Sequence, residues 1–262
     1  MRQLLKLKPL LSPSRPPRAD LPDMSAIAPA RPLYVIGDVH GSADLVEDLL
    51  ERIDADMAQH MDAGTPHLVF VGDYVDRGDE SNEVLEHVFA LCRDLPGAVT
   101  GLMGNHERMM LDFIDDPAGR GARWLANGGM QTLASFKIGK IMANSPVEDM
   151  TAAADALSQA MPKGMEDWLR ALPLHYQSGN VLCVHAAVNP AKPVETQDER
   201  ALLWGHRDFF KSPQKDGLWV VHGHTIVETP EIAQGRIAVD TGAYHSGRLT
   251  AAVITAGACR FL

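Results

Sequence analysis

Apolar residues along this chain come in short blocks, and their spacing changes character from block to block. Leu33-Tyr34-Val35-Ile36 is an unbroken run of strand length that stops at a glycine. Over 43–58 the period becomes helical, with Leu45, Leu49, Leu50 and Ile53 on one face and acids opposite. His67-Leu68-Val69-Phe70-Val71 predicts a second strand, 80–93 a second helix through Val84, Leu85, Val88 and Phe89, and 98–103 a third strand. This strand–helix alternation predicts a parallel layer covered by helices. Residues 108–172 then read as helical without a convincing strand. Short strands return at 174–177, 181–185, 218–222, 231–233, 236–239 and 249–254, across tight turns such as Gln234-Gly235. The pattern predicts one α/β domain of two stacked, partly antiparallel sheets, with a helical insertion over about 112–170.

Residues 8–32 hold seven prolines with few apolar residues between them. That composition cannot form a core, so 1–31 is expected to be a flexible tail and 32–262 the folded domain. The whole chain of 262 residues carries 24 basic and 34 acidic side chains, a net −10. The tail is basic (six Lys/Arg against two acids, +4), which leaves −14 on the remainder. Such an acidic body argues against a nucleic-acid partner. Its three cysteines are widely spaced and odd in number, as expected for buried thiols in a reducing compartment. No apolar run is long enough to span a membrane and no secretory signal is legible, so a cytoplasmic, membrane-free protein is expected. Oligomeric state is not legible.

The chemistry lies at the strand ends. The first strand runs into Gly37-Asp38-Val39-His40-Gly41, the second into Gly72-Asp73-Tyr74-Val75-Asp76-Arg77-Gly78, and the third into Gly104-Asn105-His106-Glu107. Later strands end at His185 and at His222-Gly223-His224. Functional groups gather at the carboxyl ends of strands in open α/β sheets. Asp38, His40, Asp73, Asn105, His185 and His222 offer two carboxylates, an amide oxygen and three imidazoles. One ion takes four to six ligands, so this set with added waters suits two divalent ions sharing a bridge. Without sulfur, the donors favour manganese, with iron or zinc as alternatives. Two such ions leave the site at about +2, able to attract a phosphate dianion despite the acidic body.

These motifs, in this order, resemble the phosphoprotein phosphatase family of calcineurin-like metallophosphoesterases. Trp124-Leu-Ala-Asn127-Gly128-Gly129 with Thr132, and Asp240-Thr-Gly-Ala-Tyr244, resemble its bacterial serine/threonine protein phosphatase branch. The resemblance spans about 33–254 and implies a β-sandwich flanked by helices. It implies that Asp38 and His40 hold one ion, that Asn105, His185 and His222 hold the other, and that Asp73 bridges them. It further implies attack on phosphorus by a metal-bridging hydroxide, with His106 as general acid, Asp76 fixing that histidine, and Arg77 with Asn105 binding phosphate. A second phosphate-binding arginine is expected at Arg207, or its place is taken by His206.

Because six ligands already suffice, His224 is expected to support them through hydrogen bonds, Glu107 to act structurally, and Asp240 to brace a site histidine or a turn. The expected substrates are phosphoserine and phosphothreonine, and also phosphotyrosine, in proteins or peptides. The alternative is a bis(5′-nucleosyl)-tetraphosphate hydrolase on the same fold. Those hydrolases usually lack an aspartate at the place of Asp76, which puts the protein phosphatase first. A non-catalytic phosphopeptide-binding protein would need a broken ligand, and none is broken.

Overall fold

The computed structural model describes residues 24–60, 64–139, 141–211 and 217–262. Strand β1 (Leu33–Ile36) leads through α1 (Ala43–Gln59) to β2 (His67–Phe70), then through α2 (Ser81–Asp94) to β3 (Val99–Gly101). These three strands pair in parallel, as their helix-separated spacing predicts. The insertion follows as α3 (Asn105–Asp115), α4 (Pro117–Trp124), a π-helical turn at Leu125–Gly129, α5 (Met130–Ser135), α6 (Val147–Ala160) and α7 (Met165–Arg170).

The second half contributes β4 (His175–Ser178), β5 (Val181–Val184), α8 (Glu199–Trp204), β6 (Trp219–His222), β7 (Glu231–Ala233) and β8 (Arg236–Ala238). The chain closes with α9 (Ala243–Ser246), β9 (Ala251–Thr255) and β10 (Ala258–Phe261). One sheet has the order β10-β9-β1-β2-β3, the other β4-β5-β6-β8-β7. Both are mixed, because hairpin strands flank a parallel centre.

Side-chain alternation explains why two sheets stack. Leu33 and Val35 of β1, Val181 and Cys183 of β5, Val221 of β6 and Ile237 of β8 all enter one core between the sheets. The alternate residues Tyr34 and Ile36 face the helices instead, and Leu182 and Val184 join a third cluster with Phe209. The result is an α/β sandwich flanked by helices. β10 went unseen in the pattern because it is an edge strand, half-exposed and joined to β9 by a tight turn at Gly257 (φ 74). Helix α6 buries Met150, Ala153, Ala154 and Leu157, so its alanines make a close-packed face.

Part of the segment expected to be tail packs against the sheets. Residues 1–23 fall outside the described residues, but 24–31 belong to the domain. Ile27 is 1% exposed in the intersheet core. Ala28 donates its N–H to Asn180 Oδ1 at 2.7 Å, Ala30 to Ser178 Oγ at 3.0 Å, and the Ile27 carbonyl accepts from Gly257 N–H at 2.8 Å. Proline excludes regular structure in this segment, not an extended run that borrows partners from loops at the sheet ends. Replacing Ile27 with Ala should cost about 2–4 kcal/mol, the usual loss for a fully buried aliphatic side chain. Urea unfolding checks this, and an unchanged midpoint would remove the segment from the core.

Candidate metal centre

The loops after β1, β2, β3, β5 and β6 converge on one point, tied by their backbones. His40 N–H donates to the Asp73 carbonyl at 2.8 Å and Gly223 N–H to the His185 carbonyl at 2.8 Å. Turning so many side chains inward strains the chain. Among the described residues seven non-glycines have left-handed φ, and five belong here: His40, Asp73, Asp76, Arg77 and His224. Each such residue costs on the order of 1–3 kcal/mol and persists only where its surroundings over-determine it. Close approach explains two glycines: a Cβ on Gly104 would collide with Asp73 Oδ1, and one on Gly223 with Asp38 Oδ1.

Asp73 stands at the centre, 1% exposed. His40 Nε2 lies 3.4 Å from its Oδ2 and His185 Nε2 3.5 Å from its Oδ1. The tautomers follow from the other ring nitrogens. His40 Nδ1 donates to the Val75 carbonyl at 2.8 Å and His185 Nδ1 to the Val71 carbonyl at 3.1 Å. Burial pushes these imidazoles down to about 3 and about 4, so both are neutral. Each Nε2 therefore presents a lone pair to the carboxylate. His185 Nε2 presents the same lone pair to Asn105 Oδ1 at 2.8 Å. Lone pairs turned on one another at these distances repel unless a cation stands among them. Burial opposes ionisation of Asp73, and among its hydrogen bonds the His106 backbone N–H, donated to Oδ1 at 3.0 Å, favours the ionised form.

Asp38 makes the same point. It is 2% exposed, and its Oδ1 has no hydrogen-bond partner. Burial, then the charges of Asp240 and Asp73, push its pKa well up, a penalty a bound cation would cancel. The donor set therefore fits divalent ions.

One expected ligand stands apart from the others. The ligating atoms of Asp73, His185 and His224 lie within 4.8 Å of one another, as do those of His40, Asp73 and His106. His222 belongs to neither group. As the last residue of β6 it donates Nδ1–H to the Gly223 carbonyl at 3.1 Å and packs edge-on to Phe209 and Phe210. The two histidines flank a glycine, and His224 at φ 62 turns its ring back over His185, 5.1 Å away. Its N–H also donates to Asp38 Oδ2 at 3.0 Å. Spacing alone did not say which imidazole points inward.

His106, in the first turn of α3, is held on both sides. Its Nδ1 donates to Asp76 Oδ2 at 2.6 Å, while Arg77 Nη2 approaches its Nε2 at 3.2 Å. Burial opposes a charge on this ring, but Asp73 and Asp76 prevail and keep its pKa above the ordinary imidazole value. Asp76 is wholly buried, and burial raises its own pKa. It is stabilised by Trp124 Nε1–H at 3.0 Å and Thr132 Oγ1–H at 2.6 Å. Glu107 is structural, as expected. Its carboxylate accepts the N–H groups of Gly104, Asp73, Tyr74 and Val75 at 2.7–3.2 Å, lacing the second and third loops together.

Above the centre opens a cleft of about 790 Å³ lined by Arg77, Asn127, Gly128, His224, Ile226 and Tyr244 among others. The insertion thus reaches the site, through Trp124 and Thr132 to Asp76 and through Asn127 and Gly128 to the cleft wall. Tyr244 was missed in the sequence. It lies under the Arg77 guanidinium (5.1 Å to the ring centroid) and edge-on to His40 at 5.5 Å. Its place two residues after Gly242 in the Asp240 motif was the available signal. Asp240 braces that turn by accepting Gly242 N–H at 2.8 Å.

Arg207 does not join them. Its side chain is 86% exposed and lies 3.5 Å from Asp208, while His206 Nδ1 accepts the Asp208 N–H at 3.3 Å. Gly205 (φ 89) turns the chain after α8 and directs this segment outward. No second arginine lines the cleft among the described residues.

Comparison with known proteins agrees with this geometry. Residues 31–248 match the calcineurin-like phosphoesterase model. The chain is 27% identical, over 83% of its length and 86% of the relative's, to the asymmetrical bis(5′-nucleosyl)-tetraphosphatase PrpE of Oceanobacillus iheyensis. In fold it resembles the crystal structure of a candidate diadenosine tetraphosphatase (TM-score 0.59, 21% identity, 89% of this chain and 93% of that one). It also resembles the cold-active protein-tyrosine phosphatase of a psychrophilic Shewanella species (TM-score 0.55, 20% identity, 95% and 88%). With its motifs, its sandwich and its convergent donors all in register, the chain belongs to the calcineurin-like phosphoesterase family.

Proposed function

We propose that this chain hydrolyses bis(5′-nucleosyl) tetraphosphates with the help of two divalent metal ions. The observation that carries the reading is the 27% identity to an enzyme of that name, spread over most of both chains. The cleft supports it. Tyr244 and Ile226 are 38% and 41% exposed at its rim, beside the phosphate-facing Arg77. An aromatic face next to a guanidinium suits a nucleobase whose phosphates lie on the arginine.

Asp38, His40 and Asp73 would hold one ion; Asp73, Asn105, His185 and His224 the other. When bound, such ions, manganese first among them, neutralise phosphate charge and lower the pKa of a water. The chain's own groups do the rest. Arg77 orients phosphate oxygens through its planar fork. His106 would deliver a proton from Nε2 to the leaving oxygen once phosphate draws the Arg77 guanidinium off that nitrogen, and Asp76 fixes the ring by taking Nδ1–H.

The His106–Asp76 pair favours a second reading, a phosphatase for phosphoserine, phosphothreonine or phosphotyrosine in proteins. Alkoxide leaving groups need a proton donor, whereas a nucleotide leaves without one. A donor does no harm to nucleotide cleavage, so Asp76 does not exclude the first reading, and the full-length relative reverses the order expected from sequence.

With manganese added, kcat/KM should be at least about tenfold higher for bis(5′-adenosyl) tetraphosphate than for a phosphoserine or phosphotyrosine peptide. The reverse order would make the protein phosphatase the function. The metal assignment is separable by elemental analysis. His224→Gln should lose one of about two bound ions, whereas His222→Gln should keep both. The opposite pattern would restore His222 as the ligand.

A further inference from the structure

His222, which lies outside both groups of converging ligand atoms, forms part of a second recess. A pocket of about 260 Å³ is lined by Phe210, His222, Thr225, Glu231, Gln234 and Arg236, with small aliphatic residues completing it. Phe210 is 53% exposed at its mouth. The Arg236 guanidinium lies 5.8 Å from the Phe210 ring centroid and 5.4 Å from that of Phe209. Arg236 is itself anchored, donating to the Phe209 carbonyl at 2.9 Å and to Gln234 Oε1 at 2.5 Å, so it holds the aromatic pair in place.

The pocket adjoins the main cleft, since Thr225 lines both. The two recesses meet at Thr225, next to His224, and share a pairing of an exposed aromatic ring with an arginine: Tyr244 with Arg77 in one, Phe210 with Arg236 in the other. Phe210, Ile226 and Tyr244 are three of the seven large apolar side chains exposed among the described residues. Their gathering at the two rims of one site calls for a ligand with two flat apolar ends and an anionic middle.

We infer that the Phe210 pocket is a second nucleoside subsite, taking one base of a dinucleoside polyphosphate while the other lies on Tyr244. The polyphosphate then crosses His224 and Arg77. The base stacks on Phe210, within reach of the Glu231 carboxylate and the Gln234 amide, which can accept from and donate to its polar edge. This assignment rests on the dinucleotide reading above.

The test is steady-state kinetics of the full chain, with manganese, on bis(5′-adenosyl) tetraphosphate and on p-nitrophenyl phosphate. Phe210→Ala should lower the ratio of the two kcat/KM values about tenfold, chiefly through KM for the dinucleotide, as for the loss of one base stack. Phe210→Tyr should restore the ratio. An unchanged ratio in Phe210→Ala, with the wild type active on the dinucleotide, would overturn the subsite alone. A wild type that cleaves p-nitrophenyl phosphate and leaves the dinucleotide intact would overturn the dinucleotide reading and the subsite with it.

Discussion

A buried carboxylate facing imidazole lone pairs is the constraint on which the rest of this structure depends. Asp73 sits 3.4–3.5 Å from the Nε2 atoms of two neutral histidines whose protons are fixed on the far side of each ring. The His106 N–H that Asp73 Oδ1 accepts at 3.0 Å does not by itself make that arrangement favourable. A divalent cation does, and the strained loops follow from it. Each left-handed residue around Asp73 turns a donor inward at an energetic cost that metal binding offsets.

Around that centre other buried carboxylates are stabilised by different means. Glu107 takes four backbone N–H groups and so behaves as a brace between loops. Asp76 takes an indole, a hydroxyl and an imidazole. Removing carboxylates from water costs several kcal/mol each unless they are paired, and these pairings span distant parts of the chain. The insertion is therefore tied to the reaction centre: Trp124 and Thr132 position Asp76, which positions His106. The same segment lines the cleft, so one structural unit both orients His106 and shapes what can approach it.

Much of this was legible in the sequence because its signals are local. Short apolar runs ending in Gly-Asp or Gly-Asn mark the strand ends, and period-two and helical spacing separate sheet from insertion. What was not legible depends on contacts between distant segments. The choice between His222 and His224 turns on one backbone angle after β6. Arg207 comes after a tryptophan as a phosphate ligand should, yet the turn at Gly205 sends it to solvent. Ile27, among prolines, is buried only because the ends of both sheets lie beside it. Tyr244 closes the Asp240 motif and Phe210 carries none, and the meaning of both comes from the arginines against their rings.

The claim that cations complete the Asp73 centre is tested most directly by thermal unfolding of metal-stripped protein against increasing manganese. A ligand that binds only the folded state raises the melting temperature with concentration, by about 2.7 kcal/mol of stability at one hundred times its Kd. The wild type should show that rise, and Asp73→Asn should lose most of it. A wild-type melting temperature indifferent to manganese, or an equal rise in Asp73→Asn, would contradict the account.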